Sequence, residues 1–96
     1  MALEVVFRPE AEDEAIEVRQ WYESKRPDLG REFGQELDRM IDRIADGPLV
    51  FPRVHGETRR AMLSRFPYAV YFRVADVNVV LAIHGRQHPS RWQRRV

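Results

Sequence analysis

The sequence contains no cysteine. This excludes disulfides, thiolate nucleophiles and every metal site built on sulfur. Histidine is scarce: His55, His84 and His88 are the only three, which leaves little from which to assemble a His/carboxylate centre. The reading therefore assigns no metal and no cofactor. Apolar runs are short, and none approaches the roughly 20 residues of a membrane-spanning helix. The opening Met1-Ala2-Leu3-Glu4 lacks the basic and apolar regions of a signal peptide. A cytoplasmic protein without membrane contacts is the expectation. There is no phosphate-binding glycine loop, nucleophile elbow, zinc spacing or calcium loop. There are no repeats, no low-complexity segments and no linkers. At 96 residues the chain is long enough for one core and too short for a second, so residues 1–96 are read as one domain.

Lysine is nearly absent too. Of 16 basic residues only Lys25 is not arginine, a ratio that GC-rich codon use accounts for. The placement of charge is more informative. The net charge of +1 is the sum of two unlike halves. Residues 1–47 hold 13 acidic and 7 basic residues, a net −6, and residues 48–96 hold 2 and 9, a net +7. Such a dipolar chain presents a basic surface to acidic partners.

Local patterns divide the chain. Leu3–Arg8 is a short β-rich run. Pro9 suits the first position of a helix, and Glu10, Glu12, Asp13 and Glu14 crowd the first turn, where carboxylates oppose the helix dipole. The acidic run Glu10–Glu17 is read as a solvated helix face rather than a metal site. Ala11, Ala15, Val18 and Tyr22 recur at helical spacing, so the first helix is expected from Pro9 to about Lys25, with Trp21 and Tyr22 packing the hairpin and Pro27 as the stop. Asp28 is the expected N-cap of a second helix carrying Phe33, Leu37, Met40, Ile41 and Ile44, ended by Gly47-Pro48. Leu49–Glu57 reads as a loop. Three β-type segments follow, Thr58–Ser64, Tyr68–Val74 and Val77–His84, and a basic tail runs from Gly85 to Val96. The order β-α-α-β-β-β predicts an α+β fold, a helical hairpin packed on a small, mainly antiparallel sheet.

Alternation assigns the faces of that sheet. Val70, Phe72 and Val74 share one face of their strand, and Val79, Leu81 and Ile83 share one face of theirs; these are the expected core faces. The opposite face carries Tyr71, Arg73, Val80, Ala82 and His84. It has no evident cover within the chain and is expected to meet a partner. Arg59 and Arg60 alternate, so one of them faces solvent or a partner, with phosphate or carboxylate as suitable ligands. Arg65 lies at a turn. Arg86, Arg91 and Trp92 stand in the tail, where Trp92 either packs over the sheet or helps to engage a target.

The run Arg59-Arg60-Ala61-Met62-Leu63-Ser64-Arg65-Phe66-Pro67-Tyr68-Ala69-Val70-Tyr71-Phe72-Arg73-Val74, followed by Val79–Ile83, His84-Gly85-Arg86, His88-Pro89 and Arg91-Trp92, resembles the C-terminal half of the RelE/ParE toxin superfamily. The N-terminal half agrees in layout: a strand ending at proline, an acidic amphipathic helix, a second helix and a Pro-x-x-Phe-Pro loop at Pro48 to Pro52. The resemblance covers nearly the whole chain through order and spacing, not through any single motif. It implies the toxin of a bacterial type II toxin–antitoxin system, inhibiting growth and neutralised by a cognate antitoxin.

Two target classes exist in that superfamily. RelE-like members are ribosome-dependent mRNA endonucleases, and ParE-like members are inhibitory binding proteins that poison DNA gyrase. RelE-like enzymes resemble one another in an arginine just before the Leu-Val-Tyr portion of the central strand, where this chain has Ala69; the lysine pair of some relatives is also missing. Arg65, Arg73, His84 and His88 are the residues left to build an RNase site. The sequence is closer to the ParE-like branch, with Tyr71-Phe72-Arg73-Val74 and His84-Gly85-Arg86. On that reading Arg59, Arg60, Arg65, Tyr71, Arg73, His84, Arg86, Arg91 and Trp92 are the candidate antitoxin- and target-binding residues.

Overall fold

A computed structural model describes residues 4–75 and 78–85, the last strand by its backbone. Strand β1 (Glu4–Phe7) leads into helix α1 (Pro9–Lys25) and helix α2 (Leu29–Asp46). A single 3-10 turn at Pro48–Val50 precedes the short strand β2 (Arg53–His55), and β3 (Thr58–Met62), β4 (Tyr68–Ala75) and β5 (Asn78–Gly85) complete the sheet. The strand order is β1-β5-β4-β3-β2. All neighbours are antiparallel except β1, which runs parallel to β5. This is the expected helical hairpin on a mainly antiparallel sheet. One element was not anticipated: the stretch read as a loop contains β2, an edge strand of three exposed residues. Its bulged pairing with β3 supplies no alternating pattern from which to read it.

Helix α1 begins at Pro9 and ends where Arg26 turns to extended backbone, since the residue before a proline disfavours the helical region. Ala11, Val18 and Tyr22 are buried on its inner face. Glu14 is buried with them, 2% exposed, which corrects its assignment to the solvated acidic face. Positions 11, 14 and 18 lie three and four residues apart and therefore share one side of a helix. Asp28 does occupy the N-cap of α2, but in left-handed conformation (φ 70°) and without a capping bond from its side chain. The cap comes instead from the preceding helix. The Glu23 carboxylate accepts the N–H groups of Asp28 (2.9 Å) and Gly30 (3.0 Å), placing negative charge at the positive helix end. Gly30 is required for close approach of the helices, because a Cβ there would collide with the carbonyl oxygen of Arg19.

The core is an aromatic cluster between hairpin and sheet. Phe33 on α2 is fully buried and meets Tyr22, Phe66 and Tyr68 at centroid distances of 5.6, 5.3 and 5.6 Å. Leu37, Met40 and Ile44 extend it along α2, and Val70 and Phe72 rise from β4. Val74 packs at its margin, so the predicted inner face of β4 is the observed one. The hydroxyl of Tyr68 is buried without a hydrogen-bond partner among the described residues. Burial, with the nearby Tyr22, Glu14 and Glu17, pushes its pKa well above the ordinary tyrosine range.

Candidate functional site

The sheet has two unlike faces because its strands alternate. In the β3–β4 ladder Ala61 pairs with Val70 and Arg59 with Phe72, and this set faces the hairpin. Arg60 pairs with Tyr71 and Met62 with Ala69, and this set forms the outer face. Across β5, Ala69 pairs with His84, Tyr71 with Ala82 and Arg73 with Val80. Arg60, Tyr71 and Arg73 therefore stand together, the two arginines diagonal to each other around the ring at about 7–8 Å between Cα atoms. Arg73 is exposed, and Arg60 and Tyr71 are half-buried. Met62, which the reading of the sequence did not single out, is 57% exposed beside them; its spacing of two from Arg60 is the signal that places it there. Two guanidinium groups flanking an aromatic and an exposed thioether suit an amphipathic segment carrying carboxylates.

The other candidates divide. Arg59 is turned inward, where its guanidinium donates to the carbonyls of Phe51 (2.6 Å) and Leu49 (3.3 Å). It thereby fastens the segment that precedes β2, whose Phe51 ring packs edge-on against Phe72 at 5.7 Å. Arg65 sits in the β3–β4 connection and points toward α2. It donates to Glu32 at 2.6 Å, and Glu32 also pairs with Arg26 at 3.4 Å. The Arg65 hydrogen bond is the main reason that the Glu32 carboxyl is held below its usual pKa. The backbone of His84 lies opposite Ala69. Arg86, His88, Arg91 and Trp92 lie outside the described residues. No cluster of three or more His, Cys, Asp or Glu that could hold a metal occurs among the described residues, and no helix among them is long and apolar enough to cross a membrane.

One residue that organises this region escaped the reading of the sequence. Glu36, on the buried side of α2 and 6% exposed, accepts through Oε2 from Ser64 N–H (2.6 Å), Ser64 Oγ (3.1 Å) and Arg65 N–H (3.1 Å). It ties the β3–β4 turn to α2 and so sets the register with which β4 enters the sheet. Its sequence signal is position 36 within the stripe of Phe33, Leu37 and Met40. Replacing Glu36 by leucine strands the donors of the turn, and a loss of about 2 kcal/mol in denaturant unfolding is expected. Glu36→Gln, which keeps an acceptor, should lose less. A leucine variant as stable as the parent would show that the turn does not depend on this carboxylate.

No protein-family model and no curated protein matches the sequence. Solved structures do resemble the fold. A chain of the chromosomal ParDE toxin–antitoxin system from P. aeruginosa superposes with a TM-score of 0.77 at 15% identity, over 88% of this chain and 96% of that one. A chain of the toxin–antitoxin complex RelBE2 from Mycobacterium tuberculosis gives 0.60 at 19% identity, over 90% and 100%. A mutant of the E. coli toxin RelE in the free state gives 0.59 at 16% identity, over 98% and 93%. With both helices, the sheet and its order accounted for, the chain has the α+β fold seen in ParE- and RelE-type toxin structures.

Proposed function

We propose that this chain is the toxin of a type II toxin–antitoxin pair, acting in the cytoplasm on DNA gyrase and neutralised by a cognate antitoxin. The observation that carries the choice of target is the centre of the outer face. The strand position at which the resemblance implies arginine in RelE-like RNases is Ala69, buried between the backbones of Met62 and His84. An alanine cannot stabilise the charge of a phosphorane, and ribose-phosphate cleavage needs such a group together with an acid and a base. Arg65 is engaged with Glu32 away from that face, and Arg59 is engaged with backbone carbonyls. The higher TM-score against the ParDE chain supports the same branch. The outer face of Arg60, Tyr71 and Arg73 then serves as a protein-binding surface, with an acidic antitoxin segment as its ligand.

Two assays on one preparation test the target. Purified toxin is expected to inhibit gyrase supercoiling with accumulation of cleaved DNA, and antitoxin is expected to relieve it. On translating ribosomes no codon-linked mRNA cuts are expected. Cuts in the ribosomal A site that vanish on changing Arg65 or His84, with gyrase untouched, would replace this reading by an RNase.

A further inference from the structure

A buried polar cluster lies between the helices and the sheet, away from the outer face. Helix α1 packs across β5, and its inner side holds a carboxylate among apolar residues. Glu14 is buried there with Ala11 and Val18, 2% exposed. One turn on, an oxygen of the Glu17 carboxylate is also closed off from solvent. The third member is Tyr68, the first residue of β4. It is 1% exposed, its ring stands 6.1 Å from that of Tyr22, and its hydroxyl has no hydrogen-bond partner among the described residues. After burial itself, the charges of Tyr22, Glu14 and Glu17 hold the Tyr68 pKa up, which places both carboxylates beside that hydroxyl. Two acidic side chains and a phenol therefore converge where water is scarce. Such a cluster needs a cation to balance it and donors to fill its lone pairs.

The strand register shows which cation is at hand. Tyr68 pairs with Gly85, the last residue of β5. The next residue is Arg86, about 3.8 Å farther along the backbone. Residues 86–96 contain four arginines and no acidic residue, so the chain that continues past this point carries the charge that the cluster lacks in itself. The other place open to it, the outer face, is unfavourable, because Arg60 and Arg73 stand there and like charges repel. Among the four arginines, Arg86 is the one that the register sets beside Tyr68. We infer that Arg86 seats its guanidinium among Glu14, Glu17 and the Tyr68 hydroxyl, fixing the basic tail to the helical side of the sheet and leaving the outer face open. Arginine suits this seat better than lysine would. Its planar fork has five donors and serves two carboxylates and a hydroxyl at once. The tie joins α1 to the end of β5 and makes Arg86 a positioning residue, in place of the partner-binding role that the sequence suggested.

Trypsin reads the seat of Arg86 in the complete folded chain, since it cuts only where the arginine side chain can enter its specificity pocket. Cleavage after Arg86 and after Arg91 is followed by mass spectrometry, with each rate normalised to that in a synthetic peptide of residues 83–96. In the parent the cut after Arg86 is expected to be at least about tenfold slower than the cut after Arg91, and Glu14→Gln is expected to remove the difference. Urea unfolding supplies a second measurement. In a double-mutant cycle of Glu14→Gln with Arg86→Gln, the two effects on the unfolding constant are expected to be coupled by about tenfold, whereas Glu14→Gln with Arg91→Gln should be additive. If Glu14→Gln prevents folding, Glu17→Gln takes its place in both experiments. Equal normalised cutting after Arg86 and Arg91 in the parent, additivity of Arg86 with the carboxylate tested, or coupling of that carboxylate to Arg91 instead overturns the assignment.

Discussion

Replacing Phe33 by alanine is expected to remove about 4 kcal/mol of stability. The ring is fully buried and is the hub through which the hairpin meets the sheet: Tyr22 reaches it from α1, Tyr68 from β4 and Phe66 from the β3–β4 connection. Its removal forfeits the transfer energy of an aromatic side chain, the edge-on contacts of Phe66 and Tyr68 and the tilted contact of Tyr22, and leaves a void that these large rings cannot close without leaving their rotamers. Small domains are stable by about 5–15 kcal/mol, so the variant should be partly unfolded at moderate denaturant. Urea unfolding followed by tryptophan fluorescence measures it. A loss below about 1 kcal/mol would mean that the cluster repacks freely and that the hairpin is held by something else.

On the function proposed above, reversing both arginines of the outer face, with Arg60→Glu and Arg73→Glu together, is expected to weaken binding of the cognate antitoxin at least about a hundredfold, or about 2.7 kcal/mol. Each substitution removes an attraction and installs a repulsion toward the same carboxylates. The residual binding should also depend less on salt, because the screened component has been taken away. Arg59 is best left intact in this experiment. Its guanidinium holds the carbonyls of Leu49 and Phe51, so reversal there would disturb the edge of the sheet and confuse folding with recognition. Titration calorimetry at two ionic strengths distinguishes the outcomes. Binding as tight as that of the parent would show that the antitoxin uses another surface.

The helices and the long strands were legible because their signals are periodic and local. Pro9, Pro27 and Gly47-Pro48 bracket two helices within a residue or two of their observed ends, and Val70, Phe72 and Val74 declare the inner face of β4. What was hidden depends on contacts between distant residues. The bond from Arg59 to Phe51, the seat of Glu36 beneath Ser64 and the salt bridge from Arg65 to Glu32 at 2.6 Å follow from no local pattern. For that reason three neighbouring arginines that look equivalent in sequence have three different roles: Arg59 fastens a loop, Arg60 faces outward, and Arg65 braces a turn. Glu14 and Glu36 were hidden for a related reason. Glutamate is a good helix former, and one that lies in an acidic run, as Glu14 does, or beside an apolar stripe, as Glu36 does, looks like surface until the fold closes over it.

The parallel pairing of β1 with β5 joins the two ends of the sequence, with Glu4 beside Asn78 and Phe7 beside Leu81. A chain emerging from the ribosome makes β1 early and β5, the partner of β1 among the described residues, much later. The hairpin and the β2–β4 meander form from contacts between near neighbours, whereas β1 waits for β5 at the cost of closing the longest loop in the molecule. A truncated nascent product therefore has a sheet lacking its last strand and a first strand with nowhere to pair. Such a chain is a substrate for proteases before it is anything else. On the toxin reading proposed above, this order of assembly has a practical result: abortive translation yields debris, and only a chain synthesised through β5 has the five-stranded sheet on which the outer face depends.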